Sequence, residues 1–63
     1  MPIAVYRYRQ EKRRNHFDCL DASGNHVGSI TQDGIKIEWE GKGEPSRRKL
    51  WDLILNFHSQ SAG

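Results

Sequence analysis

Residues 32–40 read Gln-Asp-Gly-Ile-Lys-Ile-Glu-Trp-Glu. An Asp-Gly pair ahead of an alternating stretch is a strong hairpin signal. Ile35, Ile37 and Trp39 then alternate with Lys36, Glu38 and Glu40. Strict alternation of this kind predicts a half-buried strand, with its apolar triplet on the core and its charges in water.

Working back from that hairpin, His26–Thr31 reads as the strand before it, weakened by Gly28. Ala22-Ser23-Gly24-Asn25 reads as a turn, because Gly24 and Asn25 both tolerate positive φ. His16–Asp21 reads as a further strand, with Phe17 and Cys19 on one face. Gln10–Asn15 is a polar, basic connection, and Ile3–Arg9 a first strand rich in β-formers. In that first strand Ile3 and Val5 share a face with Arg7 and Arg9, while Tyr6 and Tyr8 share the other. Alternation alone leaves its core side open.

Working forward, Gly41–Glu44 is a flexible turn. Either Pro45 opens a helix or Ser46 caps one. The helix is expected to run to about His58, with Ser59–Gly63 a frayed polar tail. The expected fold class is α+β: a four-stranded antiparallel β-meander followed by one C-terminal α-helix packed on the sheet. Residues 1–63 then form a single small domain.

A chain of 63 residues buries only about 60% of the surface that its unfolded form exposes. Its core is thin, so association with a partner or a second copy is expected to matter. On a helical wheel Leu50, Leu53, Ile54 and Phe57 fall within roughly 100°. Trp51 and Leu55 lie beyond that arc. They either finish the small core or form a homodimer interface.

The net charge of +2 conceals segregation. Residues 1–16 carry Arg7, Arg9, Lys12, Arg13 and Arg14 against Glu11 alone. Residues 17–46 carry Lys36 and Lys42 against Asp18, Asp21, Asp33, Glu38, Glu40 and Glu44. Residues 47–63 carry Arg47, Arg48 and Lys49 against Asp52. Two basic clusters therefore bracket an acidic middle.

In the first cluster Tyr6 and Tyr8 interleave with Arg7 and Arg9. Cations with aromatic spacing suit a sheet that tracks phosphates and stacks bases. If the tyrosines pack inward, the arginines only solvate the outer face. In the second cluster Arg47, Arg48 and Lys49 oppose the helix dipole. With the Ser46 hydroxyl and the free N–H groups of a helix start, they suit a phosphate. The alternative there is a solvated patch partly neutralised by Glu44 and Asp52.

Catalytic and metal chemistry are not expected. His16, His26, His58 and Cys19 lack ligand spacing, so neither metal nor cofactor is expected. Glu40-Gly41-Lys42 resembles half of a nuclease motif but is too common a tripeptide to count. Cys19 reads as a small buried apolar residue. A lone cysteine points to a reducing, cytoplasmic setting. No signal peptide is expected, since no apolar stretch follows Met1. No membrane span is expected either, since the longest run of large apolar residues is Leu53-Ile54-Leu55. No motif assigns a family.

The functional expectation is a non-enzymatic nucleic-acid-binding module with little sequence specificity. Its contact residues are Tyr6, Arg7, Tyr8, Arg9, Lys12, Arg13 and Arg14, with Ser46, Arg47, Arg48 and Lys49 as a further clamp. The alternative is a protein-interaction module, such as a small adaptor or inhibitor of a larger enzyme or nucleic-acid complex.

Overall fold

The computed structural model describes residues 2–61. Its elements are β1 (Ile3–Glu11), β2 (Arg14–Asp21), β3 (His26–Asp33), β4 (Lys36–Gly41) and α1 (Arg47–Ser61). The strands lie in the order β1-β2-β3-β4, each antiparallel to the next. This is the α+β meander and helix expected from the sequence. Every strand pair joins chain neighbours, as short connections favour.

The core is built where alternation from three strands meets the helix. Phe17 and Cys19 of β2, Ile30 of β3 and Ile37 of β4 bury against Leu50, Leu53 and Ile54 of α1. Burying each large side chain contributes about 1.5–3 kcal/mol. Ile3, Val5, Val27, Trp39, Trp51 and Phe57 pack around them. Gly28 is needed for close approach. The Trp39 ring lies directly over its Cα, where any Cβ would collide.

Ser46 caps the helix. Its hydroxyl accepts from the Lys49 N–H at 3.2 Å, and its carbonyl accepts from the Leu50 N–H at 3.0 Å. The three cations Arg47, Arg48 and Lys49 thus occupy the first turn, which holds no acid.

Three expectations need correction. Ile35 is not a core residue; it is 85% exposed. Asp33 pairs with Lys36, so the two turn residues are Gly34 and Ile35 rather than Asp33 and Gly34. Gly34 supplies the one positive φ, +64°, at the first central position, as in a type II′ turn. That register removes Ile35 from the strand. Second, the connection Gln10–Asn15 shrinks to a two-residue turn, Lys12-Arg13, because β1 extends to Glu11 and β2 starts at Arg14. Third, Ser59–Ser61 are helical rather than frayed. Polar residues continue a helix when no glycine or proline stops it. The rest of the expected tail, residues 62–63, lies outside the described residues.

The bulge between Val5 and Arg7 settles the orientation of β1. Val5 pairs with Cys19 and Arg7 with Asp18, so Tyr6 is the extra residue. One extra residue reverses the parity of everything after it. Ile3 and Val5 pack on the core before the bulge, and Tyr8 packs there after it. Arg7 and Arg9 pass to the opposite face.

Candidate nucleic-acid interface

Helix α1 covers one face of the sheet, and the other face is open. Alternation gives the open face three charged rows across all four strands. Two of them, Arg9, His16, Thr31 and Glu38, and Arg7, Asp18, Ser29 and Glu40, begin with an arginine on β1 and end with a glutamate on β4. The third, Glu11, Arg14, Asp33 and Lys36 at the turn end, runs the other way, from an acid on β1 to a cation on β4.

Tyr6 stands at the bulge on the open face, half exposed. Its ring meets His26 edge-on, with centroids 6.3 Å apart. His26 in turn lies 3.9 Å from the Asp18 carboxylate. Tyr8 belongs to the other face. Its ring packs against Phe17 and Phe57, each at 5.3 Å, and edge-on to His58. Its hydroxyl donates to Asn15 Oδ1 at 2.9 Å, and Asn15 Nδ2 donates on to Gln32 Oε1 at 3.3 Å. Tyr8 is thus held by the helix–sheet contact, beneath the arginines rather than beside them.

The β1–β2 hairpin end gathers the first basic cluster. An open cleft of about 550 Å³ there is lined by Glu11, Lys12, Arg13, Arg14, His16 and Asp33. Some of these charges are paired. Arg9 lies 3.6 Å from Glu11, His16 lies 3.4 Å from the same carboxylate, and Arg14 lies 3.9 Å from Asp33. All are exposed pairs except for His16, so each contributes little. Arg7, Lys12 and Arg13 form no ion pair among the described residues.

Lys12 has φ +55°, the only positive value among the described residues other than glycine. A side chain in the left-handed region costs about 1 kcal/mol or more. Lys12 is the first central residue of the two-residue turn, the position at which a type II′ turn takes positive φ, as Gly34 does in the β3–β4 turn.

The second cluster is elsewhere. Arg47 lines a separate pocket of about 320 Å³ with Ile37, Glu38, Trp39, Glu44 and Leu50. That places the helix start beside β4, the edge opposite β1. Ser46, Arg47, Arg48 and Lys49 are exposed there. The structure does not bring the two clusters onto one surface. Trp51 is partly buried against its own core, and Leu55 is 61% exposed.

Sequence reasoning missed His16, Thr31, Ser29, Glu38 and Glu40 as members of the same face as Arg7 and Arg9. Their alternation was visible, but joining it to β1 required the bulge. Cys19 is fully buried on the covered face. Burial, helped by the neighbouring Asp18 charge, pushes its thiol up to about 11. A thiol held protonated is a poor nucleophile. Among the described residues no cluster of His, Cys, Asp and Glu is arranged to hold a metal, and no helix is long and apolar enough to cross a membrane.

Comparison of the chain with protein families, with curated proteins and with solved structures finds no match in any of the three.

Proposed function

We propose that the protein is a non-enzymatic nucleic-acid-binding module that works through the β1 side of its open face. The observation that carries this reading is the set of cations along β1 and its turn that form no ion pair among the described residues: Arg7 near the middle of the strand, next to the half-exposed Tyr6, and Lys12 and Arg13 at the turn. Arg7, Arg9, Lys12, Arg13 and Arg14 contact phosphates, and Tyr6 stacks a base. Tyr8 supports β1 from below. Ser46, Arg47, Arg48 and Lys49 give a second, separate anion contact at the β4 edge. Phosphate contacts position a ligand without reading it, so sequence specificity is low.

The test is salt-dependent binding of random oligonucleotides. Affinity falls as salt rises, with a slope set by the phosphates contacted. Arg13→Glu with Arg14→Glu removes most binding, by about tenfold or more, while circular dichroism and the unfolding midpoint stay unchanged. The second reading, a protein-interaction module, is favoured by Leu55, which is 61% exposed and open to a partner or a second copy. No oligonucleotide binding at low salt gives the face to that reading.

A further inference from the structure

We propose that β4 is a docking edge for a second copy of this chain, the two β4 strands pairing antiparallel about Ile37 to join two sheets into one. The inference does not depend on what the open face binds.

β4 is an outer strand, and among the described residues no strand pairs with its free side. Its register with β3 runs from Asp33–Lys36 to Gly28–Gly41 without a shift. In an antiparallel pair the backbone groups of alternate residues turn towards the neighbouring strand, and those between turn away. The Lys42 N–H donates to the Val27 carbonyl at 2.9 Å, so the even-numbered positions here are the ones that bond to β3. The N–H and C=O groups of Ile37 and Trp39 are left on the outer side, where an added strand takes them up.

The order of residues along this edge is self-complementary. Residues 35–39 read Ile-Lys-Ile-Glu-Trp. A two-fold axis at Ile37 sets that residue beside its own copy, as an isologous contact requires. It sets Lys36 against the second copy's Glu38, and Glu38 against the second copy's Lys36. Both are positions without backbone bonds between the copies, where opposed side chains stand closest. It also brings Ile35 opposite the second copy's Trp39. Ile35 is 85% exposed in the single chain, and Trp39 lines the open groove beside β4 with Ile37 and Leu50. The pairing gives the exposed isoleucine an apolar neighbour.

Charge selects this register over its neighbours. An axis at Lys36, Glu38 or Glu40 sets a charge against itself. An axis at Trp39 sets Glu38 against Glu40 twice. Among axes at residues 36–40, only the one at Ile37 makes opposite-charge pairs with no like-charge pair. Glu40 then falls opposite Gly34. Arg47 and Glu44, which also line the groove, are of opposite sign and add no net charge at the edge. Because the axis is perpendicular to the sheet, both open faces look the same way, with a β1 strand at each outer margin.

The experiment is sedimentation of the full chain over a concentration series. One strand pair is a small interface, so a dimer with Kd of about 10 µM is expected. Lys36→Glu and Glu38→Lys, each alone, place like charges opposite one another and weaken association by about tenfold or more, with circular dichroism unchanged. An equal mixture of these two single variants dimerises again, because each supplies the sign that the other lacks. Leu55→Lys, on the outer side of α1, leaves the dimer as it was. A monomer at every concentration overturns the proposal. So does a dimer that ignores both single variants, or a mixture that fails to recover. A dimer lost in Leu55→Lys alone overturns it as well and moves the contact to the helix.

Discussion

The two faces of this sheet are made by alternate residues of the same four strands, yet they share almost nothing chemically. On the covered face Phe17, Cys19 and Ile30 have no exposed surface and touch the helix or one another. On the open face the rows are charged at both ends, and the Arg9–Glu11 and Arg14–Asp33 pairs, at 3.6 and 3.9 Å, are exposed. Burial is worth kilocalories per side chain, whereas exposed pairs are worth about 0–1 kcal/mol. Folding free energy is therefore concentrated on one face, and the charges of the other are little needed for it.

The sharpest way to break that contrast is to cut each face in turn. Leu53→Ala removes a buried side chain and costs about 2–5 kcal/mol in chemical denaturation. That is a large part of the stability of any domain this small. Arg9→Ala, which loses an exposed pair to Glu11, stays within about 0.5 kcal/mol. Equal costs for the two variants would mean that the open face is structural after all.

A second, smaller effect reads the covered face by pH. The Cys19 thiol rises from 9.0 to about 11 in the fold, chiefly through burial and then through Asp18. The folded state thus holds the proton more tightly than the unfolded chain does. Its contribution is fully present below pH 9 and is lost as pH climbs through about 11. The loss amounts to about 2–3 kcal/mol. The difference in stability between the parent and Cys19→Ala should shrink over that window; a constant difference would show that the thiol is not shielded.

The smallest effect belongs to the hairpin tip. Lys12→Gly relieves the positive φ and stabilises the fold by about 1 kcal/mol. It also removes one phosphate contact, so the salt slope of oligonucleotide binding becomes shallower by about one. Higher stability with unchanged binding would assign the strain to turn geometry alone.

Much of the fold was legible because its signals are local. Ser46 before an amphipathic run, the alternation of Ile37 and Trp39 with glutamates, and Gly34 at a turn each act within a few residues. What was hidden depends on register. Ile35 looked like the first member of the apolar triplet, and a turn shifted by one residue placed it in solvent. The face of β1 was unreadable because a bulge leaves no composition signal. The basic clusters were visible as sequence, but their placement at opposite edges follows from strand order. So does the alignment of Arg7 and Arg9 with Glu40 and Glu38, which only pairing across four strands reveals.

The bulge at Tyr6 has a consequence for solubility as well. β1 is nine residues long and, among the described residues, no strand pairs with its outer side. A long regular edge is a template on which another chain can add a strand, the first step towards aggregation. The extra residue breaks the regular spacing of the unpaired N–H and C=O groups near the middle of β1 and increases the local twist. Arg7 and Arg9 follow immediately, and two copies aligned edge to edge there would bring like charges together. The irregularity that turns the arginines outward also keeps this margin of the sheet from recruiting its own kind.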